Sequence, residues 1–195
     1  KYLKSYKKYG KALAKGICKY LGVTYREKTL GEIFCEVLDA QIKDMNKRGF
    51  KYKKEYAKCG MSYAQAKKTE KSNCATCVSW ACQNNKVNAL EPGQIFWING
   101  DNITCKGSGC KSNIIKNFKE SHPRKVPTSA KLQKGDICGY GTPHTQVFAG
   151  WKKDKKGNKT IPKWYSWGGS DVGDKQPKVK STYSKKKIDT ILRLK

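Results

Sequence analysis

The fold of this chain is decided by residues 135–151, which read GDICGYGTPHTQVFAGW. From Ile137 onward, apolar residues alternate with small or polar ones, and a period of two is typical of a β-strand with one buried face. The pattern predicts a short strand at 137–140 and a longer one at 144–151, with a Gly-Thr-Pro turn between them. His144 stands at the start of the second strand, directly after that turn.

More strands follow this pair, and helices precede it. The same alternation recurs in residues 161–167 and 188–194. In residues 2–21 and 29–47 the apolar positions recur every three or four residues, which predicts two amphipathic helices, the second opened by a capping box at Thr29. Helices first and antiparallel strands last is the order of an α+β fold.

A further helix is predicted over residues 73–84, which read NCATCVSWACQN. Either Asn73 or Ser72 can cap its first turn, because both side chains accept hydrogen bonds from helix N–H groups. The cysteines, the valine and an alanine of this segment fall on one helical face. Cys74 therefore stands at the N-terminus of the helix.

Cys74 has the position that a nucleophilic thiol needs. Only the thiolate attacks a carbonyl, and a free Cys has a pKa of about 8.5. A helix N-terminus stabilises the thiolate through its positive end and its unpaired N–H groups, which can also hold an oxyanion. A neighbouring His must then accept the proton and pass it to the leaving amine.

The chain contains two His residues. His122 lies in the polar stretch ESHPRKVP beside a proline, where an exposed side chain is expected. His144 starts a strand, and the rim of a sheet can hold an imidazole rigidly against a helix end. We therefore expect His144, rather than His122, to be the base for Cys74.

Two motifs resemble those of NlpC-type cell-wall hydrolases, a papain-like family of cysteine peptidases related to the CHAP amidases. NCATCVSWA, starting at Asn73, is similar to the nucleophile motif Asp/Asn-Cys-Ser/Ala-x-Phe-Val-x-Tyr/Trp, with Cys77 in place of its first aromatic residue. LQKGDICGYGTPHTQVFAGW, starting at Leu132, is similar to the second motif, which is Leu-x-x-Gly-Asp, a short strand, and His-x-x-Ile/Val-Tyr/Phe-x-Gly. The resemblance covers roughly residues 60–195.

The resemblance implies a papain-like core, in which a helix bearing Cys74 packs on an antiparallel sheet bearing His144. It also implies hydrolysis of amide bonds in cell-wall peptides. KWYSWGG resembles the family's third element and places Ser166 where a polar residue orients the His, a position usually held by His, Asn, Asp or Gln. Asp171 is the rival candidate for that role.

Two more residues are implied on the substrate side of the site. Tyr63 corresponds to a Tyr that lies upstream of the Cys in the family and assists the oxyanion site. Asn73 takes the first position of the nucleophile motif, beside the thiol. The resemblance implies no metal and no cofactor.

The predicted organisation is a helical extension over residues 1–28 and a catalytic domain over residues 29–195. Residues 10–23, GKALAKGICKYLGV, resemble the closing helix of zinc-dependent muramoyl-alanine amidases, which would make the extension the tail of a preceding domain. An ordinary amphipathic helix is the favoured interpretation of that segment. Shorter helices are predicted at 61–68 and near 111–119.

The charge of the chain indicates either an anionic partner or a host whose proteins are generally rich in Lys. There are 42 Lys and Arg residues against 15 Asp and Glu, a formal net charge of +27, and only four of the basic residues are Arg. Proteins that read bases depend on Arg, whose planar fork pairs with guanine edges. A surface rich in Lys gives a diffuse attraction to polyanions, so no specific nucleic acid is expected.

Nine cysteines leave at least one thiol unpaired, and several sit among apolar residues at helical spacing, as buried thiols do. So many thiols favour a reducing or anaerobic setting. Cys105 and Cys110 either form a disulfide or flank a loop. Together with Cys74 and Cys77 they could instead form a four-Cys zinc site, the sharpest rival to a catalytic thiol.

From these observations we expect a cysteine peptidase or amidase that cleaves amide bonds in peptidoglycan or pseudomurein peptides, as a monomer without a cofactor. Its Lys-rich surface would hold it on an anionic wall outside the cell, as a phage or prophage lysin or a secreted autolysin. The alternatives are a basic zinc-binding module that contacts nucleic acid, and an inactive relative that binds walls. The sequence contains no apolar run of membrane-spanning length.

Overall fold

The structure is a computed structural model, and it describes residues 2–48, 73–141, 144–153, 157, 159–166, 178–181 and 185–195. Two helices open the chain, α1 (Tyr2–Tyr20) and α2 (Leu30–Arg48). Both were predicted, and the capping box at the start of α2 is confirmed: the Thr29 N–H donates to Glu32 Oε2 at 2.9 Å, and the Glu32 N–H donates to Thr29 Oγ1 at 3.2 Å.

The middle of the described chain holds a helix, a hairpin and a second helix. The predicted helix at Cys74 is α3 (Asn73–Cys82). It is followed by the antiparallel strands β1 (Ile95–Asn99) and β2 (Asn102–Lys106), and then by α4 (Cys110–Asn117). The predicted helix at 61–68 lies outside the described residues.

Six strands form an antiparallel sheet in the order β3-β8-β4-β5-β6-β7. Their bounds are β3 (Phe118–Ser121), β4 (Ile137–Gly139), β5 (Thr145–Lys153), β6 (Lys159–Ser166), β7 (Lys178–Ser181) and β8 (Thr190–Leu194). A short 3₁₀ turn spans Pro127–Ser129. Four of these strands were predicted, and the α+β class is confirmed.

The sheet separates two layers of apolar side chains. One face carries a rung of paired residues, Leu192, Ile137, Val147 and Tyr165, which packs under α2 and α3. The other face carries a smaller cluster that includes Cys138, Phe148, Trp164 and Ile191. Alternation along each strand produces this division, because successive side chains point to opposite faces.

Four strands were missed by the sequence analysis: β1, β2, β3 and β7. The hairpin turn carries Asn99-Gly100, and Gly100 has a φ of 58°, which is the left-handed conformation that such tight turns require. β1 is mostly buried, so its sequence lacks the period-two alternation, whereas β2 alternates between exposed and half-buried residues over only five positions. β3 follows directly after α4 and pairs with the distant β8, which its own sequence does not indicate.

None of the helices in the described part of the chain meets the length and hydropathy that a bilayer crossing demands.

The Leu-x-x-Gly-Asp motif builds the turn that leads into β4. Asp136 is fully buried, and its carboxylate accepts two hydrogen bonds from the Arg193 guanidinium on β8, each at 2.7 Å. The same carboxylate accepts the Gln133 N–H at 2.8 Å, which closes the turn. Gly135 has a φ of 87°, and a side chain there would collide with the backbone of Gly31 in α2. The motif therefore joins α2, β4 and β8.

Replacing Arg193 by Met should destabilise the protein by about 3 kcal/mol, because it leaves the Asp136 carboxylate buried without its partner. Chemical denaturation followed by circular dichroism measures this loss. Arg26→Met is the matched control, since Arg26 also holds a carboxylate through two hydrogen bonds, to Glu32, but at the protein surface. An equal loss of stability in both variants would contradict a structural role for the buried pair.

Candidate active site

The N-terminal turns of α3 are fixed by hydrogen bonds to the neighbouring elements. The Ser79 hydroxyl donates to the Ala75 carbonyl at 2.8 Å and accepts the Phe96 N–H of β1 at 3.1 Å. The Gln41 side chain of α2 donates to the Cys77 carbonyl at 3.1 Å. These bonds set the position of α3 against both the hairpin and α2.

Cys74 is the second residue of α3, and it lies against the start of β5. Its side chain is 5% exposed, and the Thr145 backbone N–H donates to Cys74 Sγ over 3.4 Å. Thr145 is the residue directly after His144. The structure therefore brings the predicted nucleophile to the strand that begins beside the predicted base.

The Cys74 thiol is subject to two opposing influences. Burial raises its pKa above the ordinary value, and the backbone N–H groups of Thr145, Ala75 and Cys74 itself lower it in part. Converging backbone donors of this kind are what a helix N-terminus supplies to an anion. Because the balance favours the protonated thiol, Cys74 needs a base in order to react at neutral pH.

Other buried thiols of the chain lie in different surroundings. Burial alone raises the pKa of Cys82. Burial and the nearby Asp136 carboxylate raise that of Cys138, and burial raises that of Cys35 to about 11. Cys77 packs in the core between α3 and the sheet, as its helical spacing predicted. Three backbone N–H groups lower the pKa of Cys74, whereas one does so at Cys35.

His144 is half-buried and stands immediately before β5, so the strand begins one residue later than predicted. Covalent geometry between His144 and Thr145 keeps the His144 Cα within about 6 Å of Cys74 Sγ. An imidazole on that Cα has the length to reach the thiol. The His144 backbone thus lies near Cys74, whereas the pairing of nucleophile and base stays a prediction.

Ser166 is the last residue of β6 and is 4% exposed. Ser166 directly follows Tyr165, which pairs with Val147 of β5, and it pairs with Lys178 of β7. The end of β6 therefore lies beside the first residues of β5. A contact between the Ser166 and His144 side chains stays a prediction.

Three predicted site residues remain, namely Tyr63, Asn73 and Asp171. Tyr63 and Asp171 lie outside the described residues, so their roles stay predictions. Asn73 opens α3 directly before Cys74, as the nucleophile motif requires, and only its backbone is described.

His122 belongs to a polar cluster at the end of the sheet where β5 begins. Its Nδ1 lies 3.1 Å from Asp101 and 3.1 Å from the Thr190 hydroxyl, and its Nε2 lies 3.1 Å from Glu120. The ring is about two-fifths exposed, as predicted. The described contacts of His122 are with these polar groups and do not include the Cys74 thiol, so His122 is a suitable control for His144.

The hairpin between β1 and β2 is docked beside the site. The Gly100 N–H donates to the Tyr140 carbonyl at 3.2 Å, and the Thr190 hydroxyl donates to the Gly100 carbonyl at 2.7 Å. Arg124 binds Asp101 in the hairpin turn and Asp189 before β8. Sequence reasoning missed this arrangement, and the Asn-Gly turn was the signal that could have indicated it.

The four-Cys zinc alternative does not match the arrangement of these cysteines. Cys105 and Cys110 form a disulfide with Cα atoms 5.8 Å apart, so neither sulfur is a thiolate ligand. In the described ranges, no group of three or more His, Cys, Asp and Glu side chains is arranged to hold a metal ion. The disulfide also means that this pair is oxidised, in contrast to the reducing setting that the thiol count favoured.

The backbone N–H of Thr145 is the functional group that the sequence analysis did not single out. A backbone donor has no residue signature, since every residue except Pro carries one. Its role follows only from the packing of α3 against β5.

Comparisons of the chain with protein-family models, with curated proteins and with solved structures found no match in any of the three.

Iodoacetamide should modify Cys74 in the native protein faster than Cys82 or Cys138, because backbone N–H groups favour the Cys74 thiolate. Peptide mapping by mass spectrometry over a time course gives the rate at each site. Cys18 on α1 is partly exposed and serves as the internal reference for an accessible thiol. Modification of Cys74 no faster than Cys138, which is fully buried, would contradict the account of its surroundings.

Proposed function

We propose that this protein is a cysteine peptidase or amidase that cleaves amide bonds in the peptides of a cell wall, with Cys74 as nucleophile and His144 as base. The observation that carries the proposal is the hydrogen bond from the Thr145 N–H to Cys74 Sγ. It joins Cys74, where the nucleophile motif places the thiol, to Thr145, the residue directly after the His144 of the second motif. A papain-like core is part of the same proposal.

In the proposed reaction, Cys74 Sγ attacks the carbonyl carbon of the scissile amide while its proton passes to His144. The negative charge that develops on the carbonyl oxygen is stabilised by N–H groups at the start of α3. The carbon–nitrogen bond then breaks as His144 gives the proton to the leaving amine, which leaves a thioester on Cys74. Water attacks the thioester, His144 accepts its proton, and the thiol is restored as the acid departs.

The assignment of the other residues is part of the proposal. Ser166 or Asp171 would orient the His144 imidazole, and Tyr63 and Asn73 would contact the substrate or the oxyanion. For Ser166 the support is its buried place at the end of β6, directly after the residue that pairs with Val147 of β5. The chemistry needs no cofactor, because the thiol and the imidazole carry both the covalent and the proton-transfer steps.

A wall is the proposed substrate because of the motif resemblance and the charge. A net charge of +27 attracts the protein to an anionic wall polymer. The disulfide between Cys105 and Cys110 is typical of proteins in an oxidising compartment, which supports a location outside the cell. We propose a monomeric lysin or autolysin, with peptidoglycan or pseudomurein as the polymer.

Wild-type protein should clear suspensions of purified walls, either bacterial or from an archaeon with pseudomurein, and Cys74→Ser should not, because a hydroxyl beside an imidazole is a much weaker nucleophile in this setting. Turbidity measures clearing, and release of free amines counts the bonds cut. His144→Ala should reduce the rate by about 10²–10⁴-fold.

Two control variants separate the roles of Cys74 and His144 from general effects of replacing a Cys or a His. His122→Ala removes the chain's other imidazole and should leave the rate close to wild type. Cys77→Ser changes a cysteine on the same helix and should retain activity. Circular dichroism confirms that each variant is folded. Clearing by a folded Cys74→Ser variant, or equal losses in His122→Ala and His144→Ala, would contradict the proposal.

The pH dependence of kcat/KM follows from the protonation of the Cys74 thiol and of the His144 imidazole. Because burial raises the pKa of the Cys74 thiol, the resting thiol keeps its proton and a neutral His144 has to accept it. We therefore expect kcat/KM for a soluble wall peptide to fall at low pH, because a protonated imidazole cannot accept the thiol proton. In His144→Ala the residual rate should instead rise with pH as the thiol itself ionises. Identical pH profiles of the two proteins would contradict the role of His144.

A further inference from the structure

The apolar side of α1 is exposed. Five side chains at helical spacing form a stripe along one side of the helix, namely Tyr6, Tyr9, Leu13, Ile17 and Tyr20, and they are 50–90% exposed. At 3.6 residues per turn these positions fall within an arc of about 80°. With the backbone at Gly10 and Gly16 between them, they form a shallow apolar groove along the helix. We call this side the apolar stripe.

The opposite side of α1 is basic. Lys7, Lys8, Lys11, Lys15 and Lys19 fall within an arc of about 120° that does not overlap the apolar stripe. Residues Tyr2–Tyr20 contain no Asp and no Glu. A helix with Lys on one side and Tyr, Leu and Ile on the other has the composition of helices that lie in a membrane surface.

The segment after α1 folds back over the basic side and leaves the apolar stripe uncovered. Lys11 forms an ion pair with Glu27 at 3.0 Å, and the Lys15 ammonium lies 5.8 Å from the centre of the Tyr25 ring. These contacts orient the helix from its polar side. The segment after α1 therefore contacts the basic side of the helix, and the apolar stripe stays exposed.

We propose that α1 lies in the surface of an anionic lipid bilayer, with the apolar stripe buried at the boundary between headgroups and acyl chains. The Lys side chains would extend to anionic headgroups, and the Tyr rings suit this interface because they are apolar with a polar tip. The helix of 19 residues is about 28 Å long, which allows the whole stripe to lie in the surface.

Charge favours a bilayer over the other possible occupants of the stripe. A second copy of the chain would bring two proteins of charge +27 together, which charge repulsion opposes. A wall polymer supplies anionic groups but has no apolar interior in which to bury Leu13 and Ile17. An anionic bilayer supplies both the negative surface and the apolar layer. This inference is independent of the proposed chemistry at Cys74.

Vesicle sedimentation tests the proposal with the whole chain. At 0.15 M salt, wild-type protein should bind vesicles of phosphatidylglycerol and phosphatidylcholine at least about tenfold more tightly than vesicles of phosphatidylcholine alone. The double variant Leu13→Asp/Ile17→Asp should bind the anionic vesicles about a hundredfold more weakly, because it removes two apolar contacts and adds two charges that the bilayer repels.

Ile115→Asp is the matched control, since Ile115 is an equally exposed apolar residue on α4. This variant should bind the anionic vesicles as wild type does. Equal binding by the double variant would overturn the proposal and assign vesicle binding to diffuse charge. A wild-type dimer that the double variant dissociates, without vesicle binding by either, would overturn it in favour of a second copy. All three proteins should cleave a soluble wall peptide equally, so failure here is distinct from failure of the proposed enzyme.

Discussion

The contact between the start of α3 and the start of β5 is the interaction on which the proposed active site depends. One hydrogen bond, from the Thr145 N–H to Cys74 Sγ, holds the thiol at a helix N-terminus and beside the residue that precedes the strand. Burial disfavours the thiolate there, whereas the backbone donors favour it. In the proposed reaction a base therefore has to remove the proton, and His144 directly precedes the residue whose N–H the thiol contacts.

Contacts elsewhere in the fold hold the start of β5 in position against α3. Asp136 and Arg193 tie the turn before β4 to the last strand, and the close approach of Gly135 to Gly31 sets α2 against the same turn. β4 in turn pairs with β5, so the pairing carries the position of this turn to Thr145. The buried ion pair of Asp136 with Arg193 thus helps to fix the start of β5, where Thr145 contacts Cys74, because the paired strands β8, β4 and β5 are joined by backbone hydrogen bonds.

The sequence predicted those parts of the fold that depend on local pattern. The helices, the α+β order and the strand after His144 follow from periods of 3.6 and two, and the capping box at Thr29 follows from residues three apart. The β1–β2 hairpin was missed although Asn99-Gly100 indicates a tight turn. The pairing of Asp136 with Arg193 joins residues 57 positions apart, and nothing local specifies it. The backbone donor to Cys74 could not be predicted either, because its identity depends on packing rather than on residue type.

The central claim is that Cys74 forms a thioester with a wall peptide, and a rapid acid quench during turnover tests it most directly. Wild-type protein mixed with an excess of a soluble wall peptide would be quenched within the first turnovers and digested, and its peptides would be weighed by mass spectrometry. We predict that the peptide containing Cys74 gains the mass of the acyl fragment, and that this gain is absent from Cys74→Ser. Cleavage of the substrate by a folded Cys74→Ser variant at the wild-type rate, with every Cys74 of the wild type unmodified, would contradict the account.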